Sequence, residues 1–254
     1  MGDGKALTPS LRTLKHWNQW LTQQFLGCDL LAAERKMLTR LLHNHFGKHA
    51  LLIGVPHQVD LLSTSQLPSR FLVSPMAHHA KMPGLIESDF YELPIITGSI
   101  DLVLLPHTLE FIDNPRQLLA EACRIVKPEG LIVICGFNPY GMWSMKKIIK
   151  KNKEVPWSSH SIPANKIKSW LHLADFQLEK QKYFLFRPPI NQKTIYHKLH
   201  FLERFGKYCY PLLGSVYIVL ARAKVVPLTP IRLKWKQELS KVSIPTSISG
   251  HIAW

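Results

Sequence analysis

Residues able to do chemistry collect where apolar runs of this 254-residue chain stop. Gly54-Val-Pro-His-Gln58 closes one run, Ser74-Pro75 a second and Leu105-Pro106-His107 a third, while Asp89-Phe90 stands just before Leu93-Pro94. A glycine such as Gly54 lets backbone come close to a ligand. His107, with an ordinary pKa near ~6.5, suits proton abstraction from a hydroxyl or amine. His43, His45, His49 and the pair His78-His79 lack the acidic or cysteine partners a metal would need and read as solvated surface. Lys146, Lys147, Lys150, Lys151 and Lys153, near Tyr140, Trp143 and Trp157, form a basic and aromatic stretch suited to a polyanion.

The elements that must hold these residues are legible from periodicity. Leu14, Trp17, Leu21 and Phe25 recur at helical spacing, and Leu30, Leu31, Met37, Leu38, Leu41 and Leu42 form a second stripe that extends to His45 or Phe46. Two amphipathic helices are therefore expected over residues 1–46. Beyond them, Ala50 to Val55, Arg70 to Val73, Asp101 to Leu105 and Leu131 to Cys135 are short unalternating apolar runs, the pattern of strands buried on both faces of a parallel sheet. Asn114 as N-cap, Pro115 at the first helical position and Gln117 as a capping-box partner begin a helix carrying Leu118, Leu119, Ala122, Ile125 and Val126; Lys127 to Gly130 is expected to end it in a turn. Strand, helix, strand makes a right-handed crossover. A helix through Ile167, Trp170, Leu171 and Ala174 and strands at 176–186 and 215–223 complete the core. In such an open sheet, ligands bind beyond the carboxyl ends of the strands, which are the places the residues above occupy.

The run Ser88-Asp-Phe-Tyr-Glu-Leu-Pro94, followed by Gly98-Ser-Ile-Asp-Leu-Val103, Asp113-Asn-Pro115 and Leu119-Ala-Glu-Ala-Cys-Arg-Ile-Val-Lys-Pro-Glu-Gly-Leu-Ile-Val133, resembles the class I S-adenosylmethionine-dependent methyltransferases of the type 11 group. The resemblance is strong over residues 50–136 and weaker to residue 223. It implies an α/β, Rossmann-like, mostly parallel sheet with helices on both faces, preceded by the two N-terminal helices, and S-adenosyl-L-methionine as cofactor. It further implies that Asp89 accepts a hydrogen bond from the adenine amino group, that Phe90 lies against the ring, that Gly54 and Val55 let the loop approach the cofactor, and that Ser74 takes the ribose position. Leu105, Pro106 and His107 would then line the methyl-donor side, with His107 as catalytic base. The chain departs from the family pattern where Pro56 and Gln58 replace two loop glycines, an expected crowding of the cofactor's methionine part, and where Leu52 and Ser74 replace carboxylates.

The domain plan expected is a helical segment at 1–46, a methyltransferase-like domain at 47–226 with an insertion near 187–213, and a tail at 227–254. Lys plus Arg number 32 against 17 Asp plus Glu, a net charge of +15 that falls largely after residue 140 and fits a polyanionic partner. The four cysteines are scattered, the start lacks a signal peptide's pattern, and no run approaches the ~18 apolar residues of a membrane span, so a cytoplasmic location is expected. Two functions remain open: methyl transfer to an acceptor the sequence does not identify, or a catalytically inactive relative that binds nucleic acid or another polyanion.

Overall fold

The structure, a computed structural model, describes residues 9–76, 84–144, 160–190 and 211–225, with single positions between 191 and 210. Helices α1 (Pro9–Gln23) and α2 (Phe25–Leu42) come first. The strands follow as β1 (His49–Ile53), β2 (Ser69–Ser74), β3 (Leu85–Glu87), β4 (Ile100–Pro106), β5 (Val126–Phe137), β6 (Phe176–Phe184) and β7 (Val216–Ala223). Helix α3 (Pro115–Ile125) lies between β4 and β5, and α4 (Ala164–Leu173) precedes β6. The single sheet has the order β3-β2-β1-β4-β5-β7-β6. Pairs β1/β2, β1/β4, β2/β3 and β4/β5 are parallel, whereas β7 runs antiparallel to both β5 and β6. The strand order reverses between β1 and β4, so their carboxyl ends border the ligand crevice expected of an open α/β sheet.

The unalternating runs are buried as their pattern requires. Leu102 to Leu105, Leu131 to Cys135 and Val216 to Ala221 all lie in the core. Leu14, Trp17 and Leu21 of α1, and Leu26, Leu30, Leu38 and Leu42 of α2, join the same hydrophobic cluster as the sheet. The two helices meet closely at Gly27, where a Cβ would stand 2.5 Å from Trp20 O. Phe25 opens α2 instead of closing α1, and Phe46 is 84% exposed, so the second stripe stops at Leu42.

Two further local expectations change. Asn114 does cap α3, accepting the Gln117 N–H at 3.3 Å, but the Gln117 side chain meets the Asn114 side-chain amide and the Asn114 N–H donates to Tyr91 Oη at 3.2 Å. The turn expected at Lys127–Gly130 is instead extended chain inside β5, with Glu129 in the left-handed region at φ 63°. Val126 already pairs with Ile100 there, and the register shifts before Leu102. That pairing absorbs the extra residues as a bulge.

Asp101 secures the amino ends of three strands. Its carboxylate accepts the Lys48 and His49 N–H groups at 3.1 and 2.9 Å and pairs with Lys127 Nζ at 2.9 Å. Burial alone would raise its pKa, but the Lys127 contact and the two backbone donors outweigh burial and hold it below the ordinary value. The stabilisation is therefore present above the unfolded carboxyl's pKa near ~3.9 and is lost as pH falls through the depressed native value. Asp101→Asn should cost about 2 kcal/mol at pH 7, a loss that shrinks toward pH 3 in denaturant titrations; an equal loss at both pH values would contradict it. Among the described residues, no helix is long and apolar enough to cross a membrane.

Candidate functional site

The loop after β1 is built by competition between side chains and backbone. Pro56 starts a stretch of 3-10 turns through Thr64. Ser63, Thr64 and Ser65 donate their hydroxyls to Asp60 O, Leu61 O and Leu62 O at 2.6, 2.6 and 2.8 Å. These bonds compete for the carbonyls an α-helix would use and keep the turns tight. The loop that precedes them is closed by Gln58. Its fully buried side chain accepts the Val55 N–H at 3.2 Å and donates to Pro106 O at 2.9 Å, so it bridges the carboxyl ends of β1 and β4. Thr108 Oγ1 adds a second stitch to Ile53 O at 2.6 Å. From α1, Asn18 Oδ1 accepts the His57 N–H at 3.1 Å and meets His57 Nδ1 at 2.8 Å. A Cβ on Gly54 would stand 2.7 Å from Gln58 Oε1, so glycine is needed here to admit the glutamine.

Around that loop the other expected site residues fall on one edge of the sheet. Ser74 ends β2, wholly buried, its hydroxyl accepting the Met76 N–H at 3.2 Å. Asp89 is exposed just beyond β3, and the adjacent Phe90 is buried. Helix α3 fixes this segment: the Arg124 guanidinium donates to Leu93 O, Ile95 O and Thr97 Oγ1 at 3.1, 3.0 and 2.9 Å, and Glu121 accepts the Leu93 N–H at 3.3 Å. Leu105 and Pro106 are buried at the end of β4.

His107 follows them in the left-handed region, at φ 57°. It is fully buried between two carboxylates, with Nε2 2.7 Å from Glu34 Oε1 and Nδ1 2.9 Å from Glu110 Oε2. Burial alone would lower the imidazole's pKa; the Glu34 charge and the Glu110 hydrogen bond outweigh it and raise the pKa to about 9. Burial also pushes the Glu110 carboxyl up, against the pull of His107 and of the Phe137 N–H that Oε1 accepts at 2.5 Å. Both shifts favour a bound proton, which charges the imidazole but would neutralise the carboxyl. The flanked imidazole decides between them, because carboxylates on both ring nitrogens favour imidazolium. His107 thus has neither a free lone pair nor a path to solvent, both of which the expected base role requires. Aromatic rings seal the cluster, with Phe137 4.2 Å and Trp17 5.5 Å from the imidazole between ring centres. Neither Glu34 oxygen has an aligned hydrogen bond among the described residues, so its contact with Nε2 is an ion pair.

Glu34 is the participant that periodicity passed over. It interrupts the leucine stripe of α2 midway between Leu30 and Leu38, and a lone carboxylate at that spacing was its signal. Trp143 also differs from expectation: it is buried, with Nε1 donating to Arg187 O at 3.0 Å, and cannot stack on a nucleic acid. Lys146, Lys147, Lys150, Lys151, Lys153 and Trp157 lie outside the described residues.

Residues 69–134 match the family profile described as a methyltransferase domain. This segment runs from β2 to β5 and includes Asp89 and His107. The chain therefore carries a methyltransferase domain in this segment. It shares 30% identity over 215 residues with the uncharacterised Escherichia coli protein YafS, covering 77% of this chain and 78% of that one. A shorter match, 32% over 60 residues, links 24% of this chain to 20% of the malonyl-[acyl-carrier protein] O-methyltransferase of Laribacter hongkongensis. Among solved structures, a chain of the complex between the Haloferax volcanii Trm112 methyltransferase activator and a methyltransferase superposes with TM-score 0.61 at 14% identity, covering 84% of this chain and 98% of that chain. A Thermotoga maritima S-adenosylmethionine-dependent methyltransferase gives 0.59 at 18% identity, over 84% and 97% of the two chains.

S-adenosylmethionine is the cofactor that this methyltransferase domain implies, and the carboxyl ends of the strands fit its two halves unequally. The exposed Asp89 carboxylate beside buried Phe90 leaves an open hydrogen-bond acceptor next to an apolar wall, which suits adenine. At the methionine end, Gln58 occupies the Val55 N–H and the Pro106 carbonyl, and it must swing away before either can meet a ligand.

Proposed function

We propose that the protein transfers the methyl group of S-adenosylmethionine to an acceptor received at the carboxyl edge of the sheet. The observation that carries this reading is the exposed Asp89 just beyond β3, in a segment that α3 holds at Leu93, on a seven-stranded sheet whose order reverses between β1 and β4. Asp89 would accept from the adenine amino group and Phe90 would flank the ring. Ser74 would border the ribose, Gly54 and Val55 the methionine portion, and Leu105 and Pro106 the methyl-donor side. When bound, the cofactor supplies a methyl group already activated by its positive sulfur, so orienting the acceptor accounts for most of the catalysis required.

His107, engaged on both nitrogens, is assigned a positioning role under β4 and no proton transfer. The acceptor favoured by this arrangement is one that already has a free electron pair at neutral pH, such as a carboxylate, a thiolate or an unprotonated amine.

Calorimetric titration with S-adenosylmethionine and S-adenosylhomocysteine tests the reading. Binding of either is expected, weakened several fold by Asp89→Ala. Absence of heat from both ligands at millimolar concentration would reject the function, and an unchanged affinity in the variant would remove Asp89 from the site.

A further inference from the structure

A crevice separate from the Gly54 loop runs between α2 and the end of β6. It encloses about 550 Å3, within the ~300–1,000 Å3 range of small-molecule sites. Ala33, Met37 and Leu41 of α2 form one wall; Phe184 and Leu185 form the other. Leu185 takes φ 62°, a conformation that bulky side chains rarely adopt, and it is buried there.

The charges around this apolar interior are one-sided. Asp29 and Glu203 line the crevice, but Arg187 pairs with both, at 3.3 and 3.0 Å, and Asp29 also accepts the Tyr196 hydroxyl at 2.6 Å. Lys36, Arg40 and Lys182 also line it, are exposed, and make no ion pair with the described residues. Lys36 and Arg40 are four residues apart and so share one face of α2, while Lys182 lies on β6. Arg187 offsets one of the two acidic charges, and Lys36, Arg40 and Lys182, without ion pairs among the described residues, leave the lining with a net charge of +2.

We infer that this crevice binds an anionic amphiphile, its acyl or aryl body against Met37, Leu41 and Phe184 and its carboxylate or phosphate head at Lys36, Arg40 and Lys182. An apolar body explains the uncharged interior, and an anionic head explains the cations at its margin. The assignment does not rest on methyl transfer.

Decanoate and decyl phosphate, titrated calorimetrically into the full chain below their micelle-forming concentrations, are the probes. Decanol and decyltrimethylammonium are the neutral and cationic controls, and AMP is an anion without an acyl chain. Both anionic amphiphiles, or one of them, should bind at micromolar to submillimolar concentration, with decanol at least tenfold weaker and the cation undetected; the stronger of the two identifies the head group. Lys36→Glu with Arg40→Glu should weaken the anion at least tenfold while leaving decanol unchanged. Ala33→Trp, which fills the crevice from the half-exposed side of α2, should abolish binding while the thermal midpoint stays within a few degrees. No binding by either amphiphile, equal binding of decanol and decanoate, or retention of affinity in both variants would overturn the inference. Tight binding of AMP without either amphiphile would overturn the acyl assignment.

Discussion

Replacing Gln58 by glycine is expected to tighten S-adenosylmethionine binding by about tenfold to thirtyfold. The wild-type side chain is wholly buried and holds two hydrogen bonds, to the Val55 N–H and the Pro106 carbonyl. Each contributes about 1 kcal/mol net, and a ligand reaching either backbone group must first break them. Removing the side chain lifts that cost of about 2 kcal/mol from binding, which corresponds to roughly a thirtyfold change in Kd. The same substitution should lower folding stability, because the stitch between β1 and β4 is reduced to Thr108 and its 2.6 Å bond to Ile53 O. Affinity and stability thus move in opposite directions, which separates Gln58 as a closure from Gln58 as a cofactor ligand. Calorimetry alongside chemical denaturation reads both. Weaker binding in Gln58→Gly would make the glutamine a ligand, and unchanged binding would place the cofactor away from this loop.

Gln58 also marks how far sequence reading reached. Its departure from the glycine pattern was visible, and with it the expectation that a side chain would crowd the loop. The two hydrogen bonds were not visible, because one of them ends on Pro106, on a strand that becomes a neighbour only through the β1/β4 crossover. Buried strands such as Leu131 to Cys135 were legible for the opposite reason: unbroken apolarity reports burial on both faces without knowledge of the neighbour. The short β3 carries no such run, and its Leu85–Glu87 pairing with β2 escaped the reading. Helix α3 could be read almost to the residue, since Asn114 and Pro115 state its start chemically. His107 stood out in the sequence, but the carboxylates facing both its ring nitrogens did not. Its protonation is set by Glu34, a residue 73 positions earlier whose place in a leucine stripe gives no hint of what lies opposite.

That partnership carries the largest expected effect on stability. The native imidazole's pKa is about 9, against an ordinary value of 6.5. A group raised in the folded state contributes stability that is complete below its unfolded pKa and disappears as pH rises through the folded one. The wild-type protein should therefore lose about 3 kcal/mol between roughly pH 6.5 and pH 9 from this residue. His107→Asn should remove the slope, since asparagine tolerates the left-handed backbone and does not titrate.

At pH 7 the same variant leaves Glu34 and Glu110 facing each other without a cation, a loss of about 3–5 kcal/mol. Part of it should return as pH falls and the Glu110 carboxyl, which burial already pushes up, takes up a proton. Glu34→Leu leaves a different remainder, one imidazolium against one carboxylate, inside a stripe that is otherwise leucine. Its cost at pH 7 should be clearly smaller than that of His107→Asn. Its pH slope should also be shallower, because the Glu34 charge is the largest influence raising the His107 pKa. Denaturant unfolding of the three proteins at pH 5, 7 and 9 measures these differences. Equal losses in both variants, with the wild-type slope retained in His107→Asn, would mean that the cluster is held neutral and that its carboxyls, not the imidazole, carry the proton.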